Sequence, residues 1–142
     1  MRCAFGPKFI GQIQLRKFKV HFQKISHVFI SHLHGDHYFG LPGLITTMNR
    51  KGRTKPLNLF GPRGIKEILT TMFKHGKSWT SFDLKIKEID KEEDEIYSEN
   101  HLKVETFKLD HRISCNAFKF TIKYSDLYTV SSKNDQKCFL KY

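Results

Sequence analysis

The sequence predicts an α/β fold, and three observations carry that prediction. An apolar run, Val28-Phe29-Ile30-Ser31, has the length and composition of a buried strand. Two later segments, residues 38–48 and 64–74, place apolar side chains at helical spacing, and the stretches after residue 82 alternate apolar and polar. Between the first strand and the first of these helices stands His32-Leu33-His34-Gly35-Asp36-His37, a cluster too rich in ligand side chains to serve packing alone.

Taken in order, residues 1–24 set Phe5, Phe9, Phe18 and Phe22 among Lys8, Arg16, Lys17, Lys19 and Lys24. A helix with one apolar face and one solvated basic face accounts for this pattern. Aromatics interleaved with cations also suit stacking on single-stranded RNA. The helix expected over residues 38–48 turns Phe39, Leu41, Leu44, Ile45 and Met48 inward, and tolerates Pro42 in its first turn. Asn49-Arg50-Lys51-Gly52 ends it with cations in the last turn and a glycine stop. Arg50, Lys51, Arg53 and Lys55 read as ordinary capping or as contacts to RNA phosphates. Residues 56–60 form the next strand, Gly61-Pro62 a turn, and Ile65, Ile68, Leu69, Met72 and Phe73 a core-facing helical stripe. His75 fits the helix end, where the dipole favours it, and Trp79 with Phe82 fits the core or a dimer contact. Residues 82–89 alternate as a half-buried strand. Lys91-Glu92-Glu93-Asp94-Glu95 reads as a solvated charged turn, and Leu102, Val104 and Thr106 begin a strand that leads to His111. Residues 117–122 form one more strand.

The histidine cluster has ligand spacing. Imidazole and carboxylate are donors that zinc and similar ions prefer. On extended chain His32 and His34 point to the same side, so one ion can take both. Gly35 allows a sharp turn that brings Asp36 and His37 toward a second, adjacent ion.

Composition limits the rest. The chain has 142 residues, enough for one domain, with 39% hydrophobic and 27% charged residues. No apolar run approaches the roughly 20 residues of a membrane span, and the N-terminus lacks the apolar core of a secretory signal. Cys3, Cys115 and Cys138 are scattered and odd in number, which argues against a disulfide framework and fits a reducing cytoplasm. The net charge of +11 favours a polyanionic substrate, nucleic acid before others.

At Ser31-His32-Leu33-His34-Gly35-Asp36-His37-Tyr38-Phe39-Gly40-Leu41-Pro42-Gly43 the chain resembles the metallo-β-lactamase superfamily, and within it the ribonuclease Z branch that matures the 3′ end of transfer RNA. The resemblance runs from about Gln12 to about Phe120. It includes Gln14-Leu15-Arg16-Lys17, Leu59-Phe60-Gly61-Pro62-Arg63-Gly64 and Leu109-Asp110-His111-Arg112, and leaves 121–142 unmatched. What it implies is a metallo-β-lactamase-like αββα sandwich, incomplete, in a single truncated domain over 1–142 that corresponds to the amino-terminal half.

It also implies a zinc-dependent endoribonuclease that removes 3′ trailers from precursor transfer RNA. His32, His34 and His111 would hold one zinc, Asp36 and His37 would contribute to a second, and Asp36 would be the general base. The family's homodimer comes with it. The family's later carboxylate and last histidine have no counterpart, because every histidine lies at or before His111. Glycine is usual in the family where Asn116-Ala117 stands. An inactive remnant is therefore one alternative. Another hydrolase of the same fold, acting on a small ester or thioester, is the second.

Overall fold

Parallel strands need crossover connections, and the first half of the chain alternates strand with helix accordingly. The computed structural model describes residues 3–5, 11–99 and 101–122. Strands β1 (Cys3–Phe5), β2 (His27–Phe29), β3 (Leu57–Pro62) and β4 (Leu84–Ile89) pair in parallel in that order. Helices α1 (Gly11–Lys17), α2 (Gly35–Tyr38), α3 (Gly40–Arg50) and α4 (Ile65–His75) fall between them in sequence. Strands β5 (Glu93–Glu99), β6 (Leu102–Leu109) and β7 (Cys115–Ile122) then form an antiparallel meander, a second sheet. Among the described residues no helix is long and apolar enough to cross a membrane.

The strand β2 shows why its sequence is apolar without alternation. Val28 and Ile30 face the helices, packed with Leu41, Leu44, Ile45, Met48, Ile65 and Leu69. Phe29 faces the second sheet with Phe60, Ile96 and Val104. A central parallel strand is covered on both sides, so every position along it must be apolar. Phe29 stacks on Phe60 with centroids 5.0 Å apart and meets Phe118 and Phe120 at 5.3 Å each, which fastens the two sheets together. The outer face of the second sheet carries ion pairs beside the exposed Phe107 and Leu109. There Lys103 bridges Glu95 (3.1 Å) and Glu105 (2.8 Å), and Lys119 reaches Glu105 (3.4 Å).

Several elements differ from expectation. The helix expected over residues 38–48 is two helices, α2 and α3, that meet at Phe39. The expected glycine turn at Gly35 is a close approach instead. Its φ is not positive, and a Cβ there would run into the Phe39 ring. Positive φ is needed at Gly64, at 99°, where the chain enters α4 and Glu88 accepts hydrogen bonds from the Gly64 and Lys66 N–H groups. Gly61 and Pro62 belong to β3, and the charged turn at 91–95 runs directly into β5. Strand β5 escapes a hydropathy reading because it buries Ile96 and half-buries Tyr97 among acids. In the amino-terminal stretch α1 covers only Gly11–Lys17 and a 3₁₀ turn forms at Phe22–Lys24. Leu15, Val20 and Phe22 pack on the core, whereas Phe18 is exposed. Met72 and Trp79 are exposed too, and Phe82 alone of the Trp79–Phe82 pair is core. Arg53 is buried: it donates to the carbonyls of Lys55, Pro56 and Gln23 at 2.7, 2.7 and 3.1 Å, so it braces loops and cannot face RNA. Residues 123–142 lie outside the described residues.

His27, at the start of β2, is a buried imidazole against Tyr97 (centroids 4.4 Å apart), with Ser26 Oγ 2.9 Å from Nδ1 and Asn58 Nδ2 3.2 Å from Nε2. Burial pushes its pKa below 6.5, with Glu99 pulling partly back. Below about pH 6.5 the unfolded chain therefore takes up a proton that the folded chain refuses, so stability falls with pH until the folded pKa is passed. The urea midpoint should drop between pH 7.5 and 5.5, and drop less in His27→Gln. Equal drops in both chains would remove His27 as the cause.

Candidate metal centre

The site is built where β2 ends. His32 follows the strand directly, and alternation along the extended chain puts His34 on the same side, at 4.8 Å between ring centroids. His111 comes from the other sheet, two residues beyond β6, with its ring 4.9 Å from His32 and 5.2 Å from His34. One ligand nitrogen from each of the three lies within 4.8 Å of the others. A tetrahedral ion with bonds of about 2.05 Å needs nitrogens about 3.3 Å apart, so the cluster has to close slightly. His111 can supply that movement. It is exposed, and its Nδ1 receives only a long hydrogen bond, 3.5 Å, from the Ile113 N–H. His32 is buried, His34 half-buried. The three imidazoles fit a divalent ion that keeps an open position toward solvent.

Electrostatics point the same way. Burial, then the neighbouring rings of His37, His34 and His111, hold the His32 pKa below its ordinary value, with Asp36 opposing. A neutral imidazole is the ligand form. His32 Nδ1 lies 2.9 Å from Ser31 Oγ and 3.7 Å from Cys115 Sγ. If Nδ1 carries the proton shared with these groups, Nε2 is left to bind an ion.

Asp36 and His37 stand beside this cluster, in the first turn of α2. His37 Nε2 is 3.2 Å from Asp36 Oδ2, and the Asp36 side chain is exposed. The His37 ring lies 4.0 Å from that of His32, and its Nδ1 is 3.4 Å from the same Ser31 hydroxyl. Among the described residues only His32, His34 and His111 form a group of three or more ligand side chains.

Ser31, Cys115 and Asn116 escaped the sequence reading as site residues. Ser31 touches two imidazoles, and its carbonyl accepts the Asn116 N–H at 2.9 Å, which ties β7 to the histidine loop. Cys115 is buried, and burial pushes its thiol pKa up, so it stays protonated and inert. The signals were a hydroxyl next to a ligand, and a cysteine four residues after His111. Ser31→Ala should weaken zinc binding about 10- to 100-fold, the usual cost of losing an outer partner, with Ser31→Thr close to wild type. Chelator competition measures this; an unchanged affinity in the alanine variant would leave Ser31 a bystander.

A family model described as Anti-Pycsar protein Apyc1 matches residues 10–142. The chain belongs to this family. It is also similar to ribonuclease Z of Bacteroides fragilis, with 41% identity over 114 residues, 80% of this chain and 38% of that protein. The chain thus spans well under half the length of the curated relatives it matches. Among solved structures, human tRNase Z, short form, superposes with a TM-score of 0.74 at 24% identity, over 87% of this chain and 56% of that one. A metallo-β-lactamase fold protein, YhfI of Bacillus subtilis, gives 0.57 at 18% identity, over 83% and 44%. The fold is that of the metallo-β-lactamases, and the resemblance to ribonuclease Z read from the histidine motif extends over most of the chain.

Proposed function

We propose that the chain carries the metal-binding part of a zinc-dependent phosphodiesterase that cleaves precursor transfer RNA at its 3′ trailer. The observation that supports this reading most is the convergence of His32, His34 and His111 from two sheets onto one point. A zinc ion held by these three would polarise the scissile phosphate and lower the pKa of a water toward neutrality.

The chain's own residues would do the rest. Asp36 stands beside the cluster with an exposed carboxylate free to receive a proton, and His37, at 3.2 Å, orients it. Arg63 and Arg112 are exposed on the loops flanking the histidines, and Gly64 lies against Leu33 between His32 and His34. These guanidinium groups can pair with phosphates on either side of the cleaved bond. The resemblance to ribonuclease Z supports RNA as the polyanion.

A second reading rests on the openness of the cluster. With His111 and Asp36 exposed, a small phosphodiester, ester or thioester can also reach it. The test is cleavage of an end-labelled precursor transfer RNA, beside bis(p-nitrophenyl) phosphate, by the zinc-loaded chain. Asp36→Ala should lower RNA cleavage at least about a hundredfold without weakening RNA binding. Turnover of the small diester alone would favour the second reading, and turnover of neither would end the phosphodiesterase proposal.

A further inference from the structure

Charge is not spread evenly over this molecule. Residues 11–82 hold twelve of the lysines and arginines against two carboxylates, Asp36 and Glu67, whereas residues 83–122 hold seven against ten. The excess collects at one end. Because β2, β3 and β4 are parallel, the loops that precede them lie together at the end opposite the histidines. The segments at that end, residues 16–24, 49–56 and 74–82, contain no acidic residue.

They are also fixed to one another. Gln23 Nε2 donates to the carbonyls of Met48 and Lys51, both at 3.0 Å, and Arg53 donates to that of Gln23. Asn49 Nδ2 donates to the Trp79 carbonyl at 3.1 Å, and Asn49 Oδ1 accepts from the Ser81 N–H at 2.7 Å. The result is a continuous shelf. From the first segment it presents Lys17, Lys19 and Lys24, from the second Arg50, Lys51 and Lys55, and from the third Lys74 and Lys77, all exposed. Among them stand two aromatic side chains open to solvent, Phe18 at 71% and Trp79 at 77% exposure.

We propose that this shelf is a docking surface for single-stranded RNA, with Trp79 and Phe18 as its stacking platforms. Cations that follow a phosphate backbone, with flat rings that accept any base, are what non-specific single-strand binding requires. The Trp79 backbone is held while its indole is free, so stacking costs little ordering. An anionic membrane fits less well. Phe18 and Trp79 sit on separate segments with polar residues between them, and no contiguous apolar face joins them for insertion. The shelf lies about 20 Å from the histidines, the length of a six-residue strand such as β3. It would grip RNA away from any cleaved bond, and it does not rest on the reaction proposed above.

Trp79 is the only tryptophan, so its fluorescence reports the shelf alone. Titration of the full chain with a uridine oligonucleotide of about 20 residues should quench it. Trp79→Ala should weaken binding, followed by anisotropy of labelled RNA, about 5- to 150-fold. Arg50→Glu with Lys51→Glu should weaken it further and flatten its salt dependence. Lys119→Ala, an exposed lysine on the second sheet, should bind as the wild type does, which separates this surface from the protein's general positive charge. Absence of quenching, or unchanged affinity in both shelf variants, would overturn the proposal. So would binding to phosphatidylserine vesicles without binding to RNA. The quenching arm uses the unaltered chain, and so does not depend on a variant folding.

Discussion

Zinc binding should fall at least about a hundredfold when His111 becomes alanine, while the fold is kept. A structural zinc held by four ligands contributes roughly 10–16 kcal/mol, so one ligand carries about 3 kcal/mol. His111 is exposed and follows the end of β6, so truncating it removes a ligand and little packing. His32→Ala should lose the ion as well, but there the apo protein should also melt lower. His32 is buried, and its loss takes the nearer of two imidazole partners from the Ser31 hydroxyl and leaves a gap beside Cys115. That contrast separates a ligand from a packing residue. Competition with a chromophoric chelator gives the affinities, and thermal melts with and without zinc give the linked stabilisation. A wild-type chain that binds no zinc, or a His111→Ala chain that binds as the wild type does, would sink the metal reading.

The parts of this site that sequence made legible are those fixed by local geometry. His32 and His34 share a side because the chain is extended there, whereas His111 is read from the resemblance of Leu109-Asp110-His111-Arg112 to ribonuclease Z, since a histidine at a strand end is by itself more often structural. The β2 run and the α4 stripe were readable for a similar reason, since burial on two faces and burial on one leave different periods. What was not legible depends on partners distant in sequence. Cys115 is 83 residues from His32, and nothing in its own neighbourhood announces that contact. Arg53 looked like a surface cation until three backbone carbonyls closed around it. Strand β5 is held by pairing with β6, not by hydropathy, and its acids face solvent or the Lys103 bridge. The ring of Phe39 lies over Gly35, a contact that helical periodicity does not encode.

Phe29→Ala should cost about 3–5 kcal/mol, the range for a buried aromatic truncated to a methyl group. Against a total stability of about 5–15 kcal/mol this is the largest single loss expected in the described core. Phe29 is fully buried, and its ring is the common neighbour of Phe60, Phe118 and Phe120. It therefore joins the parallel sheet that holds His32 and His34 to the antiparallel sheet that holds His111 and Cys115. The cavity left by alanine would loosen the gap between the sheets, so zinc affinity should weaken along with stability. Phe29→Leu refills most of the volume and should lose less of both. Urea midpoints and zinc affinities measured on the same three chains test the coupling. If stability falls while zinc affinity stays constant, the histidine loop is held by its own hydrogen bonds, chiefly the Asn116 N–H to the Ser31 carbonyl, and not by the packing of one sheet on the other.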